Sequence, residues 1–190
     1  MAIELATLQT ETLLSGDELL ELGNIGPCEL IEGRIVPMSP TGFSHGHFEN
    51  NFASHLTASV IPNRSGKVVV GEVGIYTQRN PDTVRAADVA FISNERFAKQ
   101  KRPSGFLEVA PELVVEILSP DDRWQEVNQK LREYFAVDVK LVWVADPAAK
   151  TVYAYRSLTN LRIFAEADTL TADDDVLPGF SVPVASLFEE

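Results

Sequence analysis

An apolar β-strand has little reason to carry a carboxylate, yet two apolar segments of this chain each carry one. RAADVAFI (Arg85 to Ile92) holds Asp88, and PELVVEILSP (Pro111 to Pro120) holds Glu116. A charge among Val, Ile and Phe is costly unless it is paired or bound to metal. A helical segment follows, DRWQEVNQKLREYF (Asp122 to Phe135), and brings Lys130. Two carboxylates and a lysine are what metal-assisted phosphodiester cleavage needs. The acids supply hard oxygens for a divalent cation, and the lysine orients a water or offsets developing negative charge. The residue types therefore point to a nuclease-like site.

Strand parity and helical angle say whether these groups can meet. Side chains alternate along a strand, so Val114, Glu116 and Leu118 share one face and Val115 and Ile117 the other. The same rule puts Ala86, Asp88 and Ala90 on one face, with the two alanines leaving space around the carboxylate. If the strands are neighbours, both acids project to the same side. On the helix, Trp124, Val127, Leu131, Tyr134 and Phe135 span an arc of roughly 100° and form the buried stripe. Lys130 falls about 40° beyond Tyr134 by the same projection, at the border of that stripe. A border lysine can snorkel to solvent; with two strand acids upstream, the inward orientation is favoured.

The elements that must position these groups follow in a consistent order. Ser15 and Glu18 form a capping box with Leu14 and Leu19 placed to staple it, so a short helix starts there. Cys28 to Pro40 reads as a hairpin turning at Glu32-Gly33. Ser44 to Val60 reads as a helix with Phe48, Phe52, Leu56 and Val60 on one face, broken by Pro62-Asn63 and Ser65-Gly66. Lys67 to Thr77 is β-rich, and Asn80 to Asp82 turns the chain into the Asp88 strand. After the Lys130 helix, Lys140 to Pro147 and Thr151 to Ser157 are strands joined by a tight turn at Pro147 to Lys150. Residues 158–190 read as a further strand, an acidic loop at Asp173 to Asp175 and a terminal segment. The core is thus helix, three strands, helix, strand.

Composition bounds the function class. With 190 residues, 45% of them hydrophobic, and a mean hydropathy of −0.02, the chain is globular. No apolar run approaches the ~18 residues of a membrane span, so no membrane partner is expected. Glu4 and Glu11 stand where a secretory leader would be basic, and Cys28 is the single cysteine. Together they imply a cytoplasmic protein with no internal disulfide. One cysteine and three histidines also argue against a zinc-thiolate site. Sixteen basic against 28 acidic residues leave a net charge of −12, which repels a polyanion at long range. The balance is uneven: residues 1–66 contain only Arg34 and Arg64 as basic residues, while Arg96, Lys99, Lys101 and Arg102 cluster after the Asp88 strand. That cluster reads either as a solvated loop or as a phosphate-contacting one.

The order α-β-β-β-α-β with these acids resembles the PD-(D/E)XK nuclease fold of restriction endonucleases. More closely, it resembles the Uma-two group of uncharacterised bacterial endonuclease-like proteins. The matching segments are ELIEG (Glu29 to Gly33), SPTG followed by His45-Gly46, ADVAFI (Ala87 to Ile92), PELVVEILSP (Pro111 to Pro120), the helix from Lys130 and LVWVADP (Leu141 to Pro147). They cover roughly residues 15–157 in order. The resemblance implies an α/β, restriction endonuclease-like αβββαβ core with a mixed central sheet and extra N- and C-terminal strands. It also implies one such domain over 1–190: an N-terminal helix and hairpin (1–43), a nuclease-like core (44–147) and C-terminal strands (148–190).

By that resemblance, Asp88 takes the place of the motif's aspartate and Glu116 its second acid. Ala87 stands where the motif has proline, which alters strand entry only. Leu118 stands where the motif lysine would be, so Lys130 is the substitute that the group's pattern implies. Asp138 stands where the group usually has glycine at the helix end, and aspartate tolerates the left-handed backbone needed there. One or two Mg²⁺ or Mn²⁺ ions would be held by Asp88, Glu116 and the backbone carbonyl after Glu116, with Glu72 a possible third acid on the metal side. His45, near a helix start, would either contact phosphate or a water or be a plain surface histidine, and Glu29 would pair with a backbone amide or with Arg34. The expected substrate is nucleic acid, DNA first, cut to a 5′-phosphate end, with a homodimer plausible from the fold. The alternatives are a catalytically silent binder of nucleic acid or protein, and a metal-dependent hydrolase of another phosphoester.

Overall fold

The computed structural model describes residues 13–189; residues 1–12, on which the expected absence of a leader rests, and residue 190 lie outside the description. Helix α1 (Gly16–Glu21) opens with the expected capping box, Ser15 and Glu18 satisfying each other's backbone amides, and Leu14 packs with Leu19 beside it. Strands β1 (Cys28–Ile31) and β2 (Arg34–Pro37) form the hairpin, with Glu32 and Gly33 both at positive φ (49° and 79°). Two consecutive left-handed residues are what a type I′ turn requires. Helix α2 (Phe43–Asn63) buries Phe48, Phe52, Leu56 and Val60. It runs through Pro62 rather than stopping before it, because in the last turn the ring forfeits a single hydrogen bond, and it ends on left-handed Arg64.

Strands β3 (Gly66–Gln78) and β4 (Thr83–Ser93) pair antiparallel along most of their length, and a single turn, α3 (Asn94–Phe97), follows. Next come β5 (Leu113–Ile117), α4 (Trp124–Ala136) and β6 (Leu141–Asp146), with β5 and β6 parallel. Strands β7 (Thr151–Ser157) and β8 (Asn160–Phe164) continue the sheet antiparallel. The fold is therefore mixed α/β, its eight-stranded sheet ordered β2-β1-β4-β5-β6-β7-β8 with β3 on the other side of β4. Helix α2 covers one face, packing Phe52 and Leu56 against Val89, Val115 and Trp143; α4 covers the other with Val127, Leu131 and Tyr134 against Val114, Val142 and Val144.

The chain end holds more structure than its sequence suggests. Strands β9 (Thr169–Thr171) and β10 (Ser181–Pro183) form a separate two-stranded sheet, and α5 (Val184–Leu187) follows. Leu170, Leu177, Phe180 and Phe188 from this tail complete the α2-side core, with the Phe188 ring 6.0 Å from that of Phe52. These strands are too short to show period-two alternation, so they read only as a terminal segment.

The feature that makes the site is a fork in the sheet. Because β3 occupies one edge of β4, strands β1 and β5 share the other. β1 meets it at Val84 and β5 from Val89 to Phe91. Residues 85–88 lie between them, facing no strand on that edge of the described sheet. β4 also changes face in this interval: Ala87 packs on the α4 side, whereas Val89 and Phe91 pack on the α2 side. Strict alternation would keep the three together. Opposite this switch β3 carries a bulge, Gly71 and Glu72 (φ 83° and 52°) together standing across from Asp88; such a bulge sharpens the local twist. The expected parity holds on β5, then, and breaks across Asp88.

Candidate active site

Asp88 reaches across the fork, and its Oδ2 accepts the Ile117 amide at 2.7 Å. This side-chain bond at the end of β5 fixes Asp88 beside the residue that follows Glu116. Glu116 points to α4, where Oε1 accepts from the Tyr134 hydroxyl at 2.6 Å and Oε2 from Lys130 Nζ at 2.7 Å. Lys130 turns inward instead of snorkelling, and its Nζ also lies 3.5 Å from Glu29 Oε1. His45, in the first turn of α2, has Nε2 3.4 Å from Asp88 Oδ1 and Nδ1 3.2 Å from Ser119 Oγ. Nε2 is buried, and its one polar neighbour among the described residues is Asp88 Oδ1 at 3.4 Å, a long and weak contact.

Charge is unresolved at this end of the fork. Burial pushes the Glu116 carboxyl up to about 7; the Asp88 charge adds to the rise, and Lys130 and Tyr134 offset it only in part. Burial alone would lower the Lys130 ammonium's pKa, but Glu116 and Glu29 hold it above the usual lysine range. The Asp88 carboxylate raises the His45 imidazole against the opposing effect of burial. Glu49, one helical turn after His45, is raised by burial, with Asp88 and Glu72 adding, although it accepts the Gly71 amide at 2.9 Å.

Of the residues singled out in the sequence, Asp88, Glu116, Lys130 and His45 come together. Glu72 does not join them: it sits half-buried on the β3 bulge, across β4 from the fork. Sequence reasoning missed Glu49, Ser119 and the role of the Tyr134 hydroxyl. The four-residue step from His45 to Glu49 on a helix was the available signal for the first. Glu29 takes part as a structural acid, accepting the Ala86 amide at 3.1 Å and Arg85 Nη1 at 2.7 Å. Arg85 in turn holds Glu133 of α4 with two bonds, at 2.5 and 2.8 Å. Three of the four residues of the basic cluster are spent on the chain itself. Arg96 binds Asp138 and the carbonyls of Ala110 and Pro111, Lys99 pairs with Glu95, and Arg102 with Asp17 and Glu108.

The donor set suits a hard cation. Among the described residues no three His, Cys, Asp or Glu side chains converge on one point, as a zinc cage would require. Mg²⁺ asks for less, one or two carboxylates with the rest of its shell water. Asp88 and Glu116 would supply that; burial is the larger cause of the raised Glu116 pKa, and a cation would offset the Asp88 charge that adds to it.

A mixed sheet between two helices, with acids on adjacent strands and a lysine on the following helix, defines the restriction endonuclease-like class of fold. The model of the Uma2 family, described as "Putative restriction endonuclease", matches residues 17–185, and the chain belongs to that family. The fold is similar to that of "a putative nuclease belonging to DUF820 from Anabaena variabilis ATCC 29413", with a TM-score of 0.75 and 23% identity over 92% of this chain and 97% of that one. No curated protein matches the chain. Among the described residues no helix is long and apolar enough to cross a membrane.

Proposed function

We propose that the protein is a metal-dependent endonuclease that hydrolyses phosphodiester bonds of nucleic acid, with DNA the first substrate to test. The observation that carries this reading is the fork itself: Asp88 tied to the Ile117 amide, with Glu116 beside it gripping Lys130. Asp88 and Glu116 would hold Mg²⁺ or Mn²⁺ with help from the Ile117 carbonyl; Glu72, on the β3 bulge across β4, is no part of that set. Such a cation, when bound, polarises the phosphate and lowers the pKa of a water. Tyr134 fixes the Glu116 carboxylate. Lys130, steadied between Glu116 and Glu29, orients the attacking water or offsets charge on the phosphate. His45 contacts the phosphate or a water, its ring set by Ser119. By analogy of fold, the product end is a 5′-phosphate.

The net charge of −12 gives no long-range attraction to DNA, so a bound cation must neutralise the acids locally. The whole chain would act as one restriction endonuclease-like unit, in the cytoplasm. The edge strand β8, with Leu161 and Ile163 exposed, is the surface through which a homodimer would form. The test is plasmid DNA incubated with wild type, Asp88→Ala and Lys130→Ala in Mn²⁺ and in EDTA. Nicking should require Mn²⁺, vanish in Asp88→Ala and fall on the order of 10²-fold or more in Lys130→Ala. Cleavage that persists in EDTA or in Asp88→Ala would contradict the assignment.

A further inference from the structure

Trp124 begins α4 and belongs by periodicity to the buried stripe, yet it is 46% exposed. Its ring stands edge-on to Tyr153, centroids 5.5 Å apart and planes at 90°, so it is braced in place and still open to solvent. It forms one wall of a cleft of about 370 Å³ whose other apolar walls are Phe48, Leu118 and Pro147. That volume is in the range of small-molecule sites. The cleft adjoins the fork directly, because it is also lined by His45, which touches Asp88, and by Ser119.

Its two carboxylates are acceptors, and the hydroxyls of Ser44 and Ser119 can both donate and accept. Asp122 spends Oδ2 on the Ser119 amide and Asp146 spends Oδ1 on the Ala149 amide, which leaves each a second oxygen. Two carboxylates repel a run of phosphates, so the groove is no track for a duplex backbone. They can, however, accept from the amino and imino N–H groups on the edge of a base, while the aromatic wall supplies a stacking surface. The geometry points to a nucleobase site: Trp124 stacks an unpaired base next to the scissile phosphate, and the preferred substrate is single-stranded or locally unpaired nucleic acid. This rests on the nuclease reading for the position of the phosphate, but base binding can be measured without cleavage.

The experiment uses the full chain carrying Asp88→Ala, which keeps the oligonucleotide intact. Fluorescence anisotropy compares a labelled 12-nucleotide DNA single strand, its duplex, and the same strand as RNA. The single strand should bind at least ~10-fold tighter than the duplex. Adding Trp124→Ala should weaken it by about tenfold, while Trp124→Phe should keep most of the affinity. Circular dichroism establishes that each variant is folded, as expected for an exposed position. The RNA arm decides which backbone the base belongs to. Equal binding of duplex and single strand, or a folded Trp124→Ala variant that binds like its parent, overturns the proposal. If the proposal fails while wild type still nicks plasmid, the nuclease reading stands. Trp124-dependent binding without any cleavage would leave the base site and remove the nuclease.

Discussion

The two ends of the fork hold similar residues and treat them differently. At the β1 end, Arg85 is sandwiched between Glu29 and Glu133 with hydrogen bonds of 2.5 to 2.8 Å, and the Ala86 amide takes the remaining Glu29 oxygen. Each acid there has a strong donor in a fixed geometry. At the β5 end, Glu116 accepts from Lys130 and Tyr134 and Asp88 from the Ile117 amide, but among the described residues no one cation bridges the two acids, and His45 Nε2 makes only a long contact with Asp88. Both ends are buried, so desolvation alone does not separate them. Bridging does: in the first cluster one arginine joins both acids into a closed clasp of β1, β4 and α4, whereas in the second the two acids have separate partners, and the proposed cation would link them.

The largest effect on stability should come from the closed end. Arg85→Ala leaves Glu29 and Glu133 buried without their cation and should destabilise the protein by about 3–5 kcal/mol in chemical denaturation. A loss below about 1 kcal/mol would mean that the clasp is not structural. The open end should behave in the opposite sense, since Glu116 is held above its ordinary pKa of 4.5, up to about 7. A raised carboxyl contributes stability below about pH 4.5 and loses it as pH climbs through about 7, up to about 3 kcal/mol in all. In EDTA, wild type should therefore weaken relative to Glu116→Gln across that window. Parallel pH curves for the two proteins would erase the contrast between the ends.

Much of this was legible in the sequence, and for physical reasons. Asp88 and Glu116 stood out because charges in apolar strands demand an explanation, and the capping box at Ser15 and the turn at Glu32-Gly33 are local codes that short segments specify alone. The angle of Lys130 placed it only at the border of the buried stripe, and the two strand acids upstream favoured its inward turn. What escaped depends on contacts distant in sequence. The face change of β4 across Asp88, opposite the Gly71-Glu72 bulge, is announced by no pattern within β4. Arg85 read as strand background, because its partners Glu29 and Glu133 lie on other elements. Trp124 read as core, because periodicity cannot say where the covering layer stops. The tail strands contribute Leu170 and Phe180 to the core through segments too short to carry a period.

The most direct test of the open end is thermal unfolding with and without Mn²⁺ for wild type, Asp88→Ala and Glu116→Gln. A ligand that binds only the folded state raises the melting temperature in proportion to its occupancy. Wild type should gain several degrees at millimolar Mn²⁺, and both variants should lose that gain while remaining folded. An equal shift in all three proteins, or none in wild type, would contradict a cation site between Asp88 and Glu116.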